Sequence, residues 1–237
     1  MMTKYVTNAY EITDVYKEIL LNAKDAKVKI EPSSDDHTKL VFFEKKRAPY
    51  AFSVQDGKLT VNAAKSKWYN FWRIGIDRSQ ITLCVPTSML DTIWVRSTVG
   101  RVEICSITCT GAIDIQTNTG KINLEGVACK SLVSKGNTAS VSLSKITAKE
   151  RISIKCNTGK VLLDDCSAPE IFVKTNTGRV CGRLPSNIVL TARTNTGKIE
   201  IPQVPVGETI GGRCEIKTNT GSIRFEAFAA SSDPSHS

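Results

Sequence analysis

The sequence predicts an all-β protein: a parallel β-solenoid, β-helix-like, with about 19–20 residues per coil and an N-terminal β cap. Right-handed coiling is expected from the general preference of parallel crossovers. Three observations predict this class. One short motif recurs along the chain, its flanks alternate with period two, and an Asn-Thr-Gly corner lies at its centre.

The motif stands as TNTGKINL (117–124), CNTGKVLL (156–163), TNTGRVCG (175–182), TNTGKIEI (194–201) and TNTGSIRF (218–225). Weaker copies are STVGRVEI (97–104) and GNTASVSL (136–143), and CTGAIDI (109–115) is a partial echo. The glycine position falls at 100, 120, 139 (occupied by Ala139), 159, 178, 197 and 221, in steps of 20, 19, 20, 19, 19 and 24 residues. A period this short does not fit helical-pair repeats and does fit coils of short strands.

Two residues after the glycine come Val102, Ile122, Val141, Val161, Val180, Ile199 and Ile223. Four after it come Ile104, Leu124, Leu143, Leu163, Gly182, Ile201 and Phe225, with mixed residues between. That alternation describes a half-buried strand. A second strand precedes the corner, with Ile93, Ile113, Leu132, Ile152, Ile171, Leu190 and Cys214 seven residues before the glycine. Five before it stand Val95, Ile115, Ser134, Ile154, Val173, Ala192 and Ile216. Each coil therefore reads as strand, corner, strand and variable return, with the apolar ladders stacked inside.

Asn and Gly take positive φ most readily, and a sharp bend between strands often requires it. Asn118, Asn137, Asn157, Asn176, Asn195 and Asn219 are expected to stack coil over coil as an amide ladder. The corner hydroxyls of Thr117, Thr175, Thr194 and Thr218 are expected to be satisfied locally.

Residues 1–92 read as degenerate β repeats and a cap, residues 93–225 as the repeat solenoid, and residues 226–237 as a flexible tail. Strand alternation is plain over Lys39–Glu44, Ala51–Val54, Lys58–Asn62 and Gln80–Val85. The stretch from Glu11 to Ala26 carries a helical apolar face, yet Glu18–Ala23 and Lys27–Glu31 also read as strands around a Lys-Asp turn.

The TNTG array, preceded by KEILLNAKDAKVKIEPSSDD, VQDGKLTV and ITLCVP, resembles the bacterial putative-adhesin family, a domain of unknown function. The resemblance covers roughly residues 10 to 225. It implies a solenoid of β-strands, favours strands over a helix at the N-terminus, and brings no catalytic residues. Many members carry a leader or anchor, and no such segment is read in this chain.

Composition sets further bounds. The 237 residues are 41% hydrophobic and 23% charged, so a wholly disordered chain is not expected. No apolar run approaches the length of a membrane-spanning helix, and Met1 to Tyr10 do not form a secretory signal. The eight cysteines (84, 105, 109, 129, 156, 166, 181 and 214) contain no CxxC pair and sit mostly in apolar patterns. Reduced, buried thiols are expected, with neither metal nor cofactor. A reducing, cytoplasmic setting follows for the chain as given, or the cell surface if a leader or anchor was removed.

Enzyme signatures are absent: there is no P-loop, GxSxG or HExxH, and His37 and His236 are the only histidines. Asp35–Asp36–His37 and Asp164–Asp165 have no evident partners, although paired carboxylates on a β-helix would suit a polysaccharide-acting enzyme.

The net charge of +9 is concentrated, because residues 93–225 carry +8. Four residues before the glycine stand Arg96, Lys135, Lys155, Lys174, Arg193 and Lys217; one after it stand Arg101, Lys121, Lys160, Arg179 and Lys198. At a strand spacing of about 4.8 Å these eleven would form a basic edge on the order of 30 Å long. The edge suits an anionic glycan, a cell-wall polymer, a membrane surface or a nucleic acid. The alternative is a solvated face that discourages edge aggregation.

The aromatic cluster Trp68, Tyr69, Phe71 and Trp72 reads either as a cap over the solenoid end or as a binding platform. The function expected is a non-enzymatic adhesion or binding scaffold. The alternative is a structural protein that forms homo-oligomers by stacking solenoid ends.

Overall fold

A computed structural model describes residues 4–35, 37–63, 78–86, 90–203 and 210–229. Among the described residues sixteen strands follow one another, the first eight being β1 (Tyr5–Ile12), β2 (Glu18–Lys24), β3 (Lys27–Pro32), β4 (Thr38–Lys45), β5 (Tyr50–Gln55), β6 (Lys58–Ala63), β7 (Gln80–Val85) and β8 (Thr92–Cys105). The long run β9 (Ala112–Thr158) bends through several corners. After it come β10 (Val161–Ser167), β11 (Glu170–Thr177), β12 (Val180–Pro185), β13 (Ile188–Thr196), β14 (Ile199–Glu200), β15 (Gly212–Thr220) and β16 (Ile223–Phe228).

The repeats pair in parallel and in motif register. Ile93 faces Ile113 and Val102 faces Ile122 across β8 and β9. Val161 lies between Val141 and Val180, and Ile152 faces Ile171. Residues 18–24 and 27–32 form strands, not a helix. The fold is all-β and β-solenoid-like, and every strand joins one hydrogen-bonded sheet.

The core is the stacked inward ladders, from Ile19 and Leu21 through Ile113 and Ile115 to Ile216 and Ile223, all buried. A third wall was not apparent in the repeat pattern. Ile107 and Cys109, Val127 and Cys129, Ile146 and Ala148, and Cys166 and Ala168 are buried on the return segments. Parallel bridges Leu90–Cys109 and Thr108–Ala128 tie these returns together. Three of the cysteines therefore serve as small core side chains on this wall.

The corner glycines are required by close approach. Gly120 has φ +152°, and a Cβ there would lie 1.7 Å from the Gly100 carbonyl oxygen. Ala139 is the exception, and its coil compensates. Ala139 is buried, and a Cβ on Gly136 would come within 2.6 Å of the Ala139 Cβ. Gly136 replaces the corner threonine and leaves the space that the Ala139 methyl enters.

Coils do not stack in chain order at either end. At the N-terminal end β2 pairs in parallel with β8 on one side and β6 on the other, and β3 does the same with β8 and β7. Antiparallel strands finish that end: β5 on β6, β4 on β7 and β1 on β4.

At the C-terminal end the last repeat, β15–β16, inserts between β11–β12 and β13–β14. The corners stack coil over coil as expected, but at this end the stacking order departs from chain order. The 24-residue step before Gly221 is the sequence trace of this crossing, since the longer connection reaches back over one coil. Among the described strands the coil left at the end has one neighbour, and Ile199 and Ile201, expected inside, are 39% and 36% exposed.

The expected tail boundary also shifts. Pairing of β12 with β16 continues through Ala227 and Phe228, so ordered strand extends past residue 226.

Candidate functional site

The outer side of the corners carries a groove of about 680 Å³. Its lining includes Lys135, Lys155, Lys174, Lys217 and Arg193. Strand register explains why four of these converge. Lys155 faces Lys174, Lys174 faces Lys217, and Lys217 faces Arg193. Each stands four residues before its corner position and projects outward because its neighbours on either side point into the core.

The order Lys135, Lys155, Lys174, Lys217, Arg193 is that of the strands, not of the chain. Inserting β15 brings Lys217 between Lys174 and Arg193 and keeps the line unbroken. Among the described residues only Lys217 of the five has a carboxylate within ion-pair distance, Glu215 at 2.6 Å. Its ammonium also lies 5.8 Å from the centre of the Phe172 ring.

Beside the cations runs the ladder of corner amides. Asn157 donates to Asn137 at 3.2 Å, and Asn137 to Asn118 at 3.3 Å. Asn195 donates to Asn219 at 3.1 Å, and Asn219 to Asn176 at 2.7 Å. Among the described residues no hydrogen bond joins Asn176 to Asn157. The ladder is thus interrupted between the Lys155 and Lys174 coils, inside the groove.

The other predicted cations lie elsewhere. Arg96 stands on β8 beside Gln116, outside the groove lining. Arg101, Lys121, Lys160, Arg179 and Lys198 come after the corner and do not line the groove. Two of them are ion-paired with a carboxylate two residues on, Arg101 with Glu103 at 3.2 Å and Lys198 with Glu200 at 2.5 Å. The corner separates the two rows, which the repeat alignment alone had placed together as one edge. Trp68, Tyr69, Phe71 and Trp72 lie outside the described residues.

Cys156 also lines the groove. It is buried, its thiol donates to the Ala139 carbonyl at 2.9 Å, and burial pushes its pKa up, which favours the neutral thiol. Two of the acidic candidates, Asp164 and Asp35, are engaged by basic side chains. Asp164 accepts from the Arg183 guanidinium at 2.8 Å. Asp35 accepts from Lys39 at 2.5 Å and Ser33 at 2.8 Å, which holds its carboxyl down at about 2. Among the described residues no group of three or more His, Cys, Asp and Glu could hold a metal.

A family model described as Toastrack DUF4097 matches residues 16–232. The chain belongs to that family. The Toastrack assignment agrees with the bacterial putative-adhesin resemblance carried by the TNTG repeats.

Among solved structures, a putative adhesin from Bacteroides fragilis NCTC 9343 is similar at TM-score 0.64 and 19% identity, over 94% of this chain and 97% of that one. A putative adhesin from Parabacteroides distasonis ATCC 8503 has TM-score 0.52 and 12% identity, over 94% and 98%. At these identities the likeness concerns the Toastrack fold. No curated protein matches the chain.

Proposed function

We propose that this Toastrack domain is a non-enzymatic binding scaffold, built on right-handed coils of 19–20 residues, that holds a polyanion along its groove. The observation that carries this reading is the line of five stacked cations, four of them without a carboxylate partner among the described residues. Stacked like charges cost a few tenths of a kcal/mol per exposed neighbour, roughly. A polyanion laid along the row converts that repulsion into attraction. Candidate partners are an anionic glycan, a cell-wall polymer or an anionic membrane surface. The names of the two similar structures, both putative adhesins, support a binding role.

The row after the corner contributes less, because Glu103 and Glu200 neutralise its two ends. Retention on a heparin matrix tests the proposal. Wild-type protein is expected to bind at low salt and elute as ionic strength rises. Charge reversal at Lys155 and Lys174 is expected to abolish retention. Retention unchanged by that double variant would contradict the groove reading.

One observation favours a second reading. At the end coil Ile199 and Ile201 are partly exposed, and β13 pairs only with β15 among the described strands. An apolar sheet edge of this kind supports end-to-end homo-oligomers. Light scattering over a concentration series distinguishes a fixed monomer mass from growth.

A further inference from the structure

We infer that the polymer held in the groove is an acidic polysaccharide carrying one charge per sugar ring. The inference rests on the polyanion reading above and names the substrate class of the same site. Three features of the groove select the class.

The first is spacing. Lys155, Lys174, Lys217 and Arg193 pair in register on adjacent strands, and Lys135 stands on the preceding pass of β9, whose Asn137 is bonded by Asn157, so at the strand separation of about 4.8 Å the row is roughly 19 Å long. A chain of sugar rings joined end to end advances by a closely similar distance per ring. Each carboxylate or sulfate then meets one ammonium or guanidinium without bending the chain.

The second is the interrupted amide ladder. Asn157 Oδ1 accepts no hydrogen bond from the described residues, and Asn176 Nδ2 donates none, while their neighbours Asn137 and Asn219 are bonded along the ladder. An acceptor and a donor are therefore presented side by side, between the Lys155 and Lys174 coils. A hydroxyl can donate to the first and accept from the second. Sugar rings carry such hydroxyls next to their charged groups; a polyphosphate chain carries none.

The third concerns what the lining lacks. Its described residues comprise cations, amides, threonines, glycine and cysteine, with neither an aromatic nor a large apolar side chain. Single-stranded nucleic acids are held by aromatic stacking as well as charge. The nearby ring of Phe172 is already faced by the Lys217 ammonium. Insertion into a lipid interface needs exposed apolar side chains. The polar lining suits a hydroxylated chain.

The test is calorimetric titration of the full chain at low salt. The probes are galacturonate oligomers of two to eight rings, sulfated galactan oligomers, a neutral galactan, inorganic polyphosphate and an oligothymidylate, the charged ones matched in charge. Both charged glycans are expected to bind, and the neutral galactan is not. Affinity is expected to climb with length to about five rings, the number the row spans, and then flatten. Binding is expected to be at least tenfold tighter than for polyphosphate or the oligonucleotide.

Asn157→Ala is expected to cost roughly fivefold for the charged glycans alone and to leave the salt dependence unchanged. Asn118→Ala, at the ladder end outside the groove, is expected to change nothing, and thermal melts establish that both variants are folded. Equal or tighter binding of polyphosphate or oligonucleotide, or indifference to Asn157→Ala, overturns the polysaccharide inference while the polyanion reading stands. Failure of every polyanion to bind overturns both.

Discussion

Lys174 and Lys217 face each other directly across the β11–β15 ladder although 43 residues separate them in the chain. The same insertion separates Lys174 from Arg193, its counterpart in the next repeat of the sequence, by one whole strand. Local strand order therefore decides which cations are neighbours in the groove.

Cross-linking reads that order. In-register Cα atoms on adjacent strands lie about 4.8 Å apart, within disulfide range, whereas second neighbours at roughly twice that distance lie outside it. The pair Lys174→Cys and Lys217→Cys is expected to oxidise readily, as detected by peptide mapping. The pair Lys174→Cys and Arg193→Cys is expected to stay reduced. The reverse pattern would restore chain-order stacking.

Gly120 and Gly57 separate two costs of replacing glycine. At Gly120 a Cβ would meet the Gly100 carbonyl oxygen at 1.7 Å, whereas at Gly57, φ +71°, nothing lies within 4 Å. Gly57→Ala is expected to cost about 1 kcal/mol, the strain of positive φ alone. Gly120→Ala has to displace backbone in the neighbouring coil, with an expected loss of more than about 4 kcal/mol. Chemical denaturation midpoints measure both.

Ser134 occupies an inward position that Val, Ile or Ala fills in six other repeats, and its buried hydroxyl has no hydrogen-bond partner among the described residues. Removing an unsatisfied buried hydroxyl relieves a penalty of about 1–3 kcal/mol, offset by the small volume lost. Ser134→Ala is expected to be neutral or to raise the melting temperature. A clear fall would show that the hydroxyl is bonded.

Burial pushes the thiols of Cys129, Cys166 and Cys214 up to about 12. The thiolate is the reactive form, so these three are expected to resist alkylation at pH 8 until the protein unfolds. Cys105 is also shifted up by burial but is only half-buried, and it is expected to react sooner. Mass-resolved labelling kinetics decide; rapid labelling of Cys166 in the folded protein would contradict its place in the third wall.

The strands, corners and two inward ladders were legible because each rests on a local rule: alternation, a glycine at the corner, a repeat spacing. The third wall was not, since the returns vary in length and hide Val127, Ile146 and Cys166 among polar residues. Strand exchange at the end was nearly invisible as well. TNTGKIEI and TNTGSIRF present almost the same pairing edge, so the motif alone cannot choose between two stacking orders. Only the longer step before Gly221 marked the place. Of the basic positions, sequence named all five groove cations but could not divide them from the row beyond the corner. That division depends on which way each side chain leaves a bent strand.

Salt dependence of polyanion affinity, compared between Lys174→Glu and Lys121→Glu, tests the groove most directly. Lys174 lies at the centre of the row, while Lys121 stands after the corner and outside the lining. The expected result is a loss of more than about tenfold and a shallower salt slope for Lys174→Glu, with near wild-type affinity for Lys121→Glu. Equal losses for the two variants would mean that diffuse net charge, and not the groove, attracts the polymer.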